Sequence, residues 1–359
     1  MSPESGVRGP EGGRRGFLAI LAAGIFFLIG PLQSQTSPVR DPGSQTPAPA
    51  SALSGPAVTA PDSGPLTPDS GPRTPDSYTP HRVYDSRKNR FIDFEELASR
   101  LARADLVFVG EQHDDPATHR MELAILEGLA RRRDSVVLSL EMFERDVQHL
   151  LDRYLSGSLG EDSLLAGARP WRNYRTDYRP LVELARVRGW PVLASNVPRP
   201  LAAMVSRGGL EALDTLAPER RAHAATEIRC PEDGYYDRFV AAMGDLSAHG
   251  ANGSPGELAD RVRRMYLAQC VKDETMAEAV AAAWKPGWLV IHYNGSFHSD
   301  FGLGTVERAR RRLGKPKMVV ITALPVADLD QVRPSKEERK RADYLLYVLA
   351  PARSAGGTP

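Results

Sequence analysis

The chain contains two apolar segments that each run into a glycine followed, three positions later, by a histidine. The first reads Leu106-Val107-Phe108-Val109-Gly110-Glu111-Gln112-His113, and the second, far along the chain, ends Asn294-Gly295-Ser296-Phe297-His298. A buried strand that stops at a glycine and then presents an imidazole is typical of open α/β sheets, which build sites at the carboxyl ends of their strands. If both strands belong to one sheet, the fold brings the two histidines together. The sequence therefore predicts one site assembled from distant segments.

Further apolar runs of the same kind indicate the rest of the sheet. Counting the two above, they lie at 106–109, 136–140, 192–194, 289–292 and 318–321. The runs are continuous instead of alternating, as expected of strands that helices cover on both faces. We therefore predict an α/β fold with a mostly parallel sheet, helices on both faces and a helical lid over the carboxyl ends of the strands.

The helices between these strands carry end signals. Asp115 is placed as an N-cap with Pro116 at the first helical position, and a helix from about Thr305 to Leu313 ends at Gly314. Longer helical stretches lie at about 144–185 and 218–284. We interpret them as insertions that form the lid, because long connections in α/β folds commonly carry the binding surface.

The first eighty residues differ in composition from the rest of the 359-residue chain. Residues 1–33 carry Arg14 and Arg15 ahead of a short apolar run, which predicts an export signal of the general secretory or twin-arginine type, or an uncleaved segment that associates with the membrane. No cysteine lies nearby, so a lipid anchor is not predicted. Residues 34–80 are rich in Pro, Ser, Thr, Gly and Asp and predict a disordered linker. The folded domain is expected over 81–350, in the periplasm or cell envelope.

Charge and cysteine content exclude two classes of protein. The formal net charge is +1 with acids and bases interspersed, so no nucleic-acid partner is expected. Cys230 and Cys270 fit neither a Cys-x-x-Cys metal site nor the Cys-x-x-Cys-His signature of covalent haem attachment. In an exported chain these two cysteines either pair or stay reduced, and the sequence leaves both open.

Polar residues gather at or just past the predicted strand ends. Two imidazoles and one carboxylate can bind a divalent metal and leave positions open for water or substrate, and the predicted set is His113, Glu141 and His298. Glu111 is a candidate second ligand or general base acting on a metal-bound water, and Arg199 a candidate for holding an anionic group. Alternatively, Glu141 and Arg199 form a buried ion pair, and each histidine caps a helix or satisfies a buried carbonyl. The other histidines considered are expected at the surface: His119, His149, His223 and His249.

An aromatic and arginine-rich stretch from Trp171 to Arg179 favours a planar ligand. Flat aromatic surface with interleaved arginines suits an apolar ring that carries carboxylates, such as haem, whose iron accepts a tyrosine or histidine ligand. Tyr178 or Tyr174 is the candidate iron ligand, and Trp171 and Met142 are candidates for contacts with the ring. The alternative is that the aromatic residues only pack the lid onto the sheet.

Several motifs together resemble one known family. They are Phe108-Val109-Gly110-Glu111-Gln112-His113-Asp114, Leu140-Glu141-Met142-Phe143 with Gln148, Asp152, Tyr154 and Gly157, Trp171 with Tyr178-Arg179-Pro180-Leu181, Ala194-Ser195-Asn196-Val197-Pro198-Arg199, and Gly295-Ser296-Phe297-His298. On these residues, over about 81–325, the chain resembles the ChaN-type proteins, a haem-binding, iron-regulated family of the Tiki, TraB and EreA superfamily. The resemblance implies an α/β core with a helical lid, a cell-envelope location and a role in haem or iron uptake or handling.

The same resemblance implies a haem ligand, a partner and an alternative activity. In ChaN-type proteins haem is held through a tyrosine with pairing of two protomers, and Tyr178 is the best match here. Tiki-like relatives are metal-dependent proteases and EreA-like ones hydrolyse a macrolide ester, and their motifs correspond to His113, Glu141 and His298. Many ChaN-type proteins are lipoproteins, whereas the predicted signal of this chain lacks the cysteine that would carry the lipid. The sequence thus predicts a haem-binding envelope protein, or alternatively a metal-dependent hydrolase, or a module in which these residues form a buried network.

Overall fold

The computed structural model describes residues 79–244 and 253–351. The predicted export signal (1–33), the predicted linker (34–80) except for its last two residues, and His249 lie outside the described residues, so these expectations stay predictions. Within the described ranges, no helix combines the length and the apolar character needed to span a bilayer.

A single sheet of eight strands forms the centre of the described fold. In chain order the strands are β1 (His81–Asp85), β2 (Arg90–Ile92), β3 (Leu106–Glu111), β4 (Val136–Glu144), β5 (Val192–Asn196), β6 (Leu289–Gly295), β7 (Met318–Val326) and β8 (Tyr344–Leu349). Their spatial order is β2-β1-β8-β7-β3-β6-β4-β5. Neighbours from β8 to β5 are parallel, whereas β1 pairs antiparallel with β8 and β2. The predicted mostly parallel α/β sheet is confirmed.

Three strands at one side of the sheet were not predicted. β8 reads Tyr-Leu-Leu-Tyr-Val-Leu and carries the same apolar signal as the predicted strands. β1 and β2 are a short antiparallel pair at the sheet edge, with only three residues in β2. β1 buries only its last three residues and β2 none completely, so these short strands leave little trace in the sequence, and β8 supplies the backbone with which β1 pairs.

Helices cover both faces of the sheet. In chain order they are α1 (Phe94–Leu101), α2 (Pro116–Ala130), α3 (Gln148–Leu155), α4 (Glu161–Ala168), α5 (Arg179–Arg188), α6 (Arg199–Gly208), α7 (Pro218–Arg221), α8 (Gly234–Met243), α9 (Pro255–Ala283), α10 (Thr305–Leu313) and α11 (Glu338–Arg341). The end signals read from the sequence are confirmed, because the Asp115 carboxylate accepts hydrogen bonds from the first turn of α2 and α10 ends at Gly314. The stretch predicted as 144–185 contains α3, α4, a π-helical turn at Tyr174–Tyr178 and most of α5, and the stretch 218–284 contains α7, α8 and α9.

The side chains of each central strand alternate between two cores. Val107 and Val109 pack on what we call the first face, against α1 to α5, while Leu106 and Phe108 pack on the second face, against α9 and α10. All six residues of β3 are buried, as are all seven of β6. The covering of both faces explains why these strands read as continuous apolar runs.

A third, smaller core lies among α6, α8 and α9, and a disulfide lies beside it. Cys230 and Cys270 are bonded across 40 positions of sequence, with their Cα atoms 5.8 Å apart. The question that the sequence left open is thereby answered in favour of pairing. The bond ties the segment before α8 to the middle of α9.

Replacing both cysteines by serine is expected to lower the free energy of unfolding by about 2–4 kcal/mol, because the cross-link restricts the unfolded chain. Urea denaturation of the oxidised protein and of the Cys230→Ser, Cys270→Ser variant measures the difference. The oxidised protein treated with a reductant is the control and should match the variant. An unchanged urea midpoint on reduction contradicts the pairing.

Candidate functional site

The strand order brings the two glycine-histidine segments to one edge. β6 lies between β3 and β4, with Glu111 opposite Gly295 on one side and Leu140 opposite Tyr293 on the other. The segment that carries His298 therefore leaves the sheet between the ends of β3 and β4. The carboxyl ends of adjacent parallel strands meet at this edge, as the sequence predicted.

Both glycines of the repeated motif are required by close approach. A Cβ on Gly110 would lie 2.8 Å from the Cα of Ser296, and a Cβ on Gly295 would lie 2.6 Å from Nε2 of His113. The two segments thus cross backbone to backbone, and the imidazole of His113 lies directly against Gly295. Larger residues at either position would push the segments apart.

One group of side chains gathers on the first face, around the carboxylate that ends β3. We call Glu111, His113, His119, Glu122 and Tyr178 the Glu111 cluster. Oε1 of Glu111 lies 2.6 Å from Nδ1 of His113 and accepts a hydrogen bond from the Tyr178 hydroxyl at 2.6 Å. Burial by itself lowers the pKa of His113, but the adjacent Glu111 carboxylate outweighs burial and raises it. Glu111 thus ties the lid residue Tyr178 to the imidazole at the sheet edge.

His119 is a member of this cluster, and its predicted position at the surface is wrong. Its side chain is buried in the first turns of α2, and Nε2 donates to the backbone carbonyl of His113 at 3.0 Å. Burial opposes protonation, but the carboxylates of Glu122 and Glu111 raise the pKa of His119 to about 10. The sequence held a signal for this burial, because His119 stands seven residues before the buried Leu126 and so lies on the same side of the helix.

A second group gathers on the second face, which we call the Glu141 cluster: Glu141, His298 and Asp273. Glu141 accepts the backbone N–H of Gly295 at 2.8 Å, and its other oxygen lies 3.3 Å from Nε2 of His298. Nδ1 of His298 donates to Asp273 of α9 at 2.8 Å. Burial opposes protonation, but Glu141 and Asp273 raise the pKa of His298 to about 10, so at neutral pH an imidazolium lies between two carboxylates.

The predicted buried pair of Glu141 and Arg199 is wrong. Arg199 begins α6, and its Nε lies 3.2 Å from Glu144, while its side chain is 49% exposed. Glu141 is buried, and its ion-pair partner is His298 instead, because the segment that follows β6 places that imidazole beside the end of β4. A role of Arg199 in holding an anionic group remains a prediction.

The predicted metal ligands lie at the same edge but do not converge on one point. Glu141 and His298 belong to the second face, while Nδ1 of His113 is held on the first face by Glu111. Among the described residues, His113, Glu141 and His298 do not form a group whose ligand atoms all lie within 4.8 Å of one another. Their joint metal binding therefore remains a prediction that this geometry does not support.

The predicted haem residues lie mostly in the core. Tyr178 is fully buried with its hydroxyl committed to Glu111, and burial together with that carboxylate raises its pKa well above the ordinary value. Tyr174 and Met142 are also buried, and Tyr174 packs edge-on against Phe143. Neither ring reaches the surface, so the role of either tyrosine as an iron ligand remains a prediction that this geometry does not support. The burial of both tyrosines agrees with the alternative interpretation, in which the aromatic residues pack the lid onto the sheet.

Two residues at the rim remain accessible. Trp171 is partly buried, and its ring lies 4.7 Å from the imidazole of His113, centroid to centroid, in an edge-on arrangement. The His113 side chain is 20% exposed to solvent, whereas the side chains of His119 and His298 are 2% and 3% exposed. His113 is thus the imidazole of this site that an incoming ligand meets first.

The protein is of the α/β class. Its site of buried carboxylates and imidazoles lies at the carboxyl ends of the strands, and helical insertions cover it. The chain belongs to the family described as haem-binding uptake, Tiki superfamily, ChaN, whose model matches residues 97–309. That range contains both clusters.

The chain is similar to several solved structures. ChaN of Campylobacter jejuni, in a structure described as cofacial haem binding, is 17% identical, with a TM-score of 0.54 over 75% of this chain and 96% of that one. A Bacillus cereus protein (12% identical, TM-score 0.41, 71% of this chain and 91% of that one) and a mutant of the erythromycin esterase EreC in its open conformation (12%, 0.38, 76% and 83%) are more distant. No curated protein sequence gives a significant match.

Gly295→Ala is expected to lower the free energy of unfolding by about 1–3 kcal/mol, the usual cost of forcing an extra carbon into a packed site. The added Cβ meets the ring of His113, which cannot withdraw without losing Glu111. Gly256→Ala is the matched control, because a Cβ there has nothing within 4 Å. Urea denaturation of both variants measures the difference, and equal midpoints would show that His113 does not rest on Gly295.

Proposed function

We propose that the protein binds haem in the cell envelope, with His113 as the iron ligand, and serves in haem or iron uptake. Membership of the haem-binding family supports the ligand class. The observation that carries the proposal is the state of His113, a partly exposed imidazole whose Nδ1 is fixed by a buried carboxylate.

The hydrogen bond to Glu111 prepares the other ring nitrogen for a metal. In the neutral ring, with the proton on Nδ1 directed at Oε1 of Glu111, Nε2 carries the lone pair, and the carboxylate behind the imidazole makes that lone pair more basic. Because Glu111 also raises the pKa of His113, a metal bound at Nε2 would take the place of a proton there. Haem iron accepts histidine as an axial ligand. Trp171 beside the imidazole offers flat apolar surface for the ring, so His113 replaces Tyr178 as the proposed ligand.

The location and the pairing of two protomers belong to the same proposal. The disulfide between Cys230 and Cys270 supports an oxidising compartment, consistent with the export signal predicted over residues 1–33. A haem bound at the rim through His113 would have one face uncovered, and a second protomer would cover it. Fractionation of cells tests the location, and the mass of the haem-loaded protein in solution tests the pairing of two protomers.

Titration of the full chain with ferric haem tests the ligand. We expect a saturable shift of the haem absorption band for the unaltered protein. His113→Ala should bind haem with an affinity at least about tenfold lower, because the axial bond is lost. Tyr178→Phe should keep the shift, since its hydroxyl donates to Glu111 and is not the proposed iron ligand. His149→Ala is the matched control, because His149 is exposed on α3.

Each outcome of the titration is informative. Loss of the shift in Tyr178→Phe with retention in His113→Ala would overturn the histidine and restore the tyrosine ligand of the sequence analysis. No saturable shift in the unaltered protein would overturn haem binding altogether.

A second candidate function is hydrolysis, favoured by the same Glu111–His113 pair. An accessible imidazole oriented by a buried carboxylate is the arrangement of a general base, and positioned bases contribute about 10²–10⁴-fold to rates. In this reading, Nε2 of His113 takes a proton from water as the water attacks an ester carbonyl, and returns that proton to the alcohol oxygen as the bond between this oxygen and the acyl carbon breaks. The alternative metal-dependent form requires an ion that the His113, Glu141 and His298 geometry does not support.

Hydrolysis of a nitrophenyl ester measures this activity. If the pair is catalytic, His113→Gln should lower the rate at least tenfold, because the base is removed. Free surface imidazoles also cleave such esters slowly, so His149→Gln reports that background. Equal rates in the unaltered protein and His113→Gln would contradict a hydrolase.

A further inference from the structure

Three buried side chains behind His113 direct their ligand atoms at a common point. Atoms of Glu111, His119 and Glu122 all lie within 4.8 Å of one another, and the three side chains are buried. Glu111 comes from the end of β3, and His119 and Glu122 stand three residues apart on α2. Residues at this helical spacing lie on one side of the helix. Of this set the sequence predicted only Glu111, as a candidate second ligand, and the set shares no residue with His113, Glu141 and His298.

Hydrogen bonding fixes which nitrogen of His119 faces the carboxylates. Nε2 lies 3.0 Å from the carbonyl oxygen of His113, and because a carbonyl only accepts, Nε2 must carry a proton. Nδ1 then faces Oε2 of Glu122 at 2.9 Å and Oε2 of Glu111 at 3.8 Å. In the neutral ring this is a lone pair directed at two carboxylates. Such an arrangement is stable only if a cation, either a proton or a metal ion, lies between them.

Two buried oxygen atoms of these carboxylates accept no hydrogen bond from the described residues. Oε1 of Glu111 is occupied by His113 and Tyr178, but Oε2 of Glu111 and Oε1 of Glu122 are buried and have no hydrogen-bond partner among the described residues. Leaving a charged oxygen buried and unpaired is costly. Two such atoms beside one imidazole indicate a ligand that both can share.

The charges that face this point favour a divalent ion. Glu111 and Glu122 supply two negative charges, and Asp177 of the lid lies 3.7 Å from Nε2 of His119. The positive groups in contact are only the imidazoles of His113 and His119, among the described residues. One divalent ion would balance the charges of Glu111 and Glu122 and take the place of the proton on Nδ1 of His119.

We propose that Glu111, His119 and Glu122 bind a divalent transition metal such as Zn²⁺ or Mn²⁺. One imidazole and two carboxylates suit both ions, and both kinds of ligand are already oriented. The His113 carbonyl fixes the His119 ring, while His113 and Tyr178 fix the Glu111 carboxylate. The ion would sit directly behind the imidazole that the proposed function assigns to haem, with Glu111 joining the two.

Metal binding is tested on haem-free full chain stripped with a chelator, then dialysed against Zn²⁺ or, separately, Mn²⁺. We expect about one ion per chain by elemental analysis and a rise in Tm of several degrees, because a ligand that binds only the folded state stabilises it. Glu122→Gln and His119→Gln should each weaken binding by at least about 100-fold, more than the usual cost of losing a residue that merely orients a ligand. Glu122→Gln resembles the protonated side chain, so it should fold and keep the Tm of the metal-free protein.

Three controls separate this site from its neighbours. His149→Gln should bind like the unaltered protein, because His149 is exposed. Glu141→Gln should also keep the ion, and loss of binding in that variant would assign the metal to the Glu141 cluster and overturn the proposal. His113→Ala should lose haem and bind the ion less than about 100-fold more weakly, because His113 only orients the Glu111 carboxylate, so a failure of the haem proposal is distinguishable. Absence of bound metal and of any Tm shift in the unaltered protein, or equal affinity in Glu122→Gln, would also overturn the metal site.

Discussion

A buried carboxylate at the end of one strand holds the site together. Glu111 joins the lid through Tyr178, the rim through His113 and helix α2 through its neighbours His119 and Glu122. A charge in this position is expensive to bury and is tolerated only where partners compensate it. The elements that meet at the end of β3 are therefore fixed relative to one another by the need to satisfy a single side chain.

The sheet divides the chemistry of the site between its two faces. Strand residues alternate in direction, so the carboxylate at the end of β3 works with α2 and the lid, while Glu141 works with His298 and Asp273 of α9. The ring of His113 lies against Gly295, whose backbone N–H donates to Glu141. This division explains why the histidines of the repeated motif meet at one edge yet have different partners. One is accessible and oriented, and the other is a buried imidazolium.

Much of the fold could be predicted because its signals are local. The central strands are continuous apolar runs, and α2 and α10 carry their end signals in adjacent residues. The edge pair β1 and β2 could not be found in this way, since its pairing depends on the backbone of β8. In the site, Glu111, His113, Glu141 and His298 were identified as chemically important. The burial of His119 was not predicted, and neither was the contact of Tyr178 with Glu111, because both depend on which side of a helix or turn faces the strand end.

The sequence by itself determined the five strands β3 to β7, the two glycines that allow close approach, and the residue types available at the strand ends. These follow from side-chain volume, hydrophobic patterning and backbone freedom, which act over short stretches of chain. The tertiary structure alone decided which carboxylate meets which imidazole, that Cys230 pairs with Cys270, and that Tyr178 turns inward to Glu111. Those choices depend on strand order, with β6 lying between β3 and β4, because charges buried far apart in sequence are compensated only by the neighbours that the completed fold supplies.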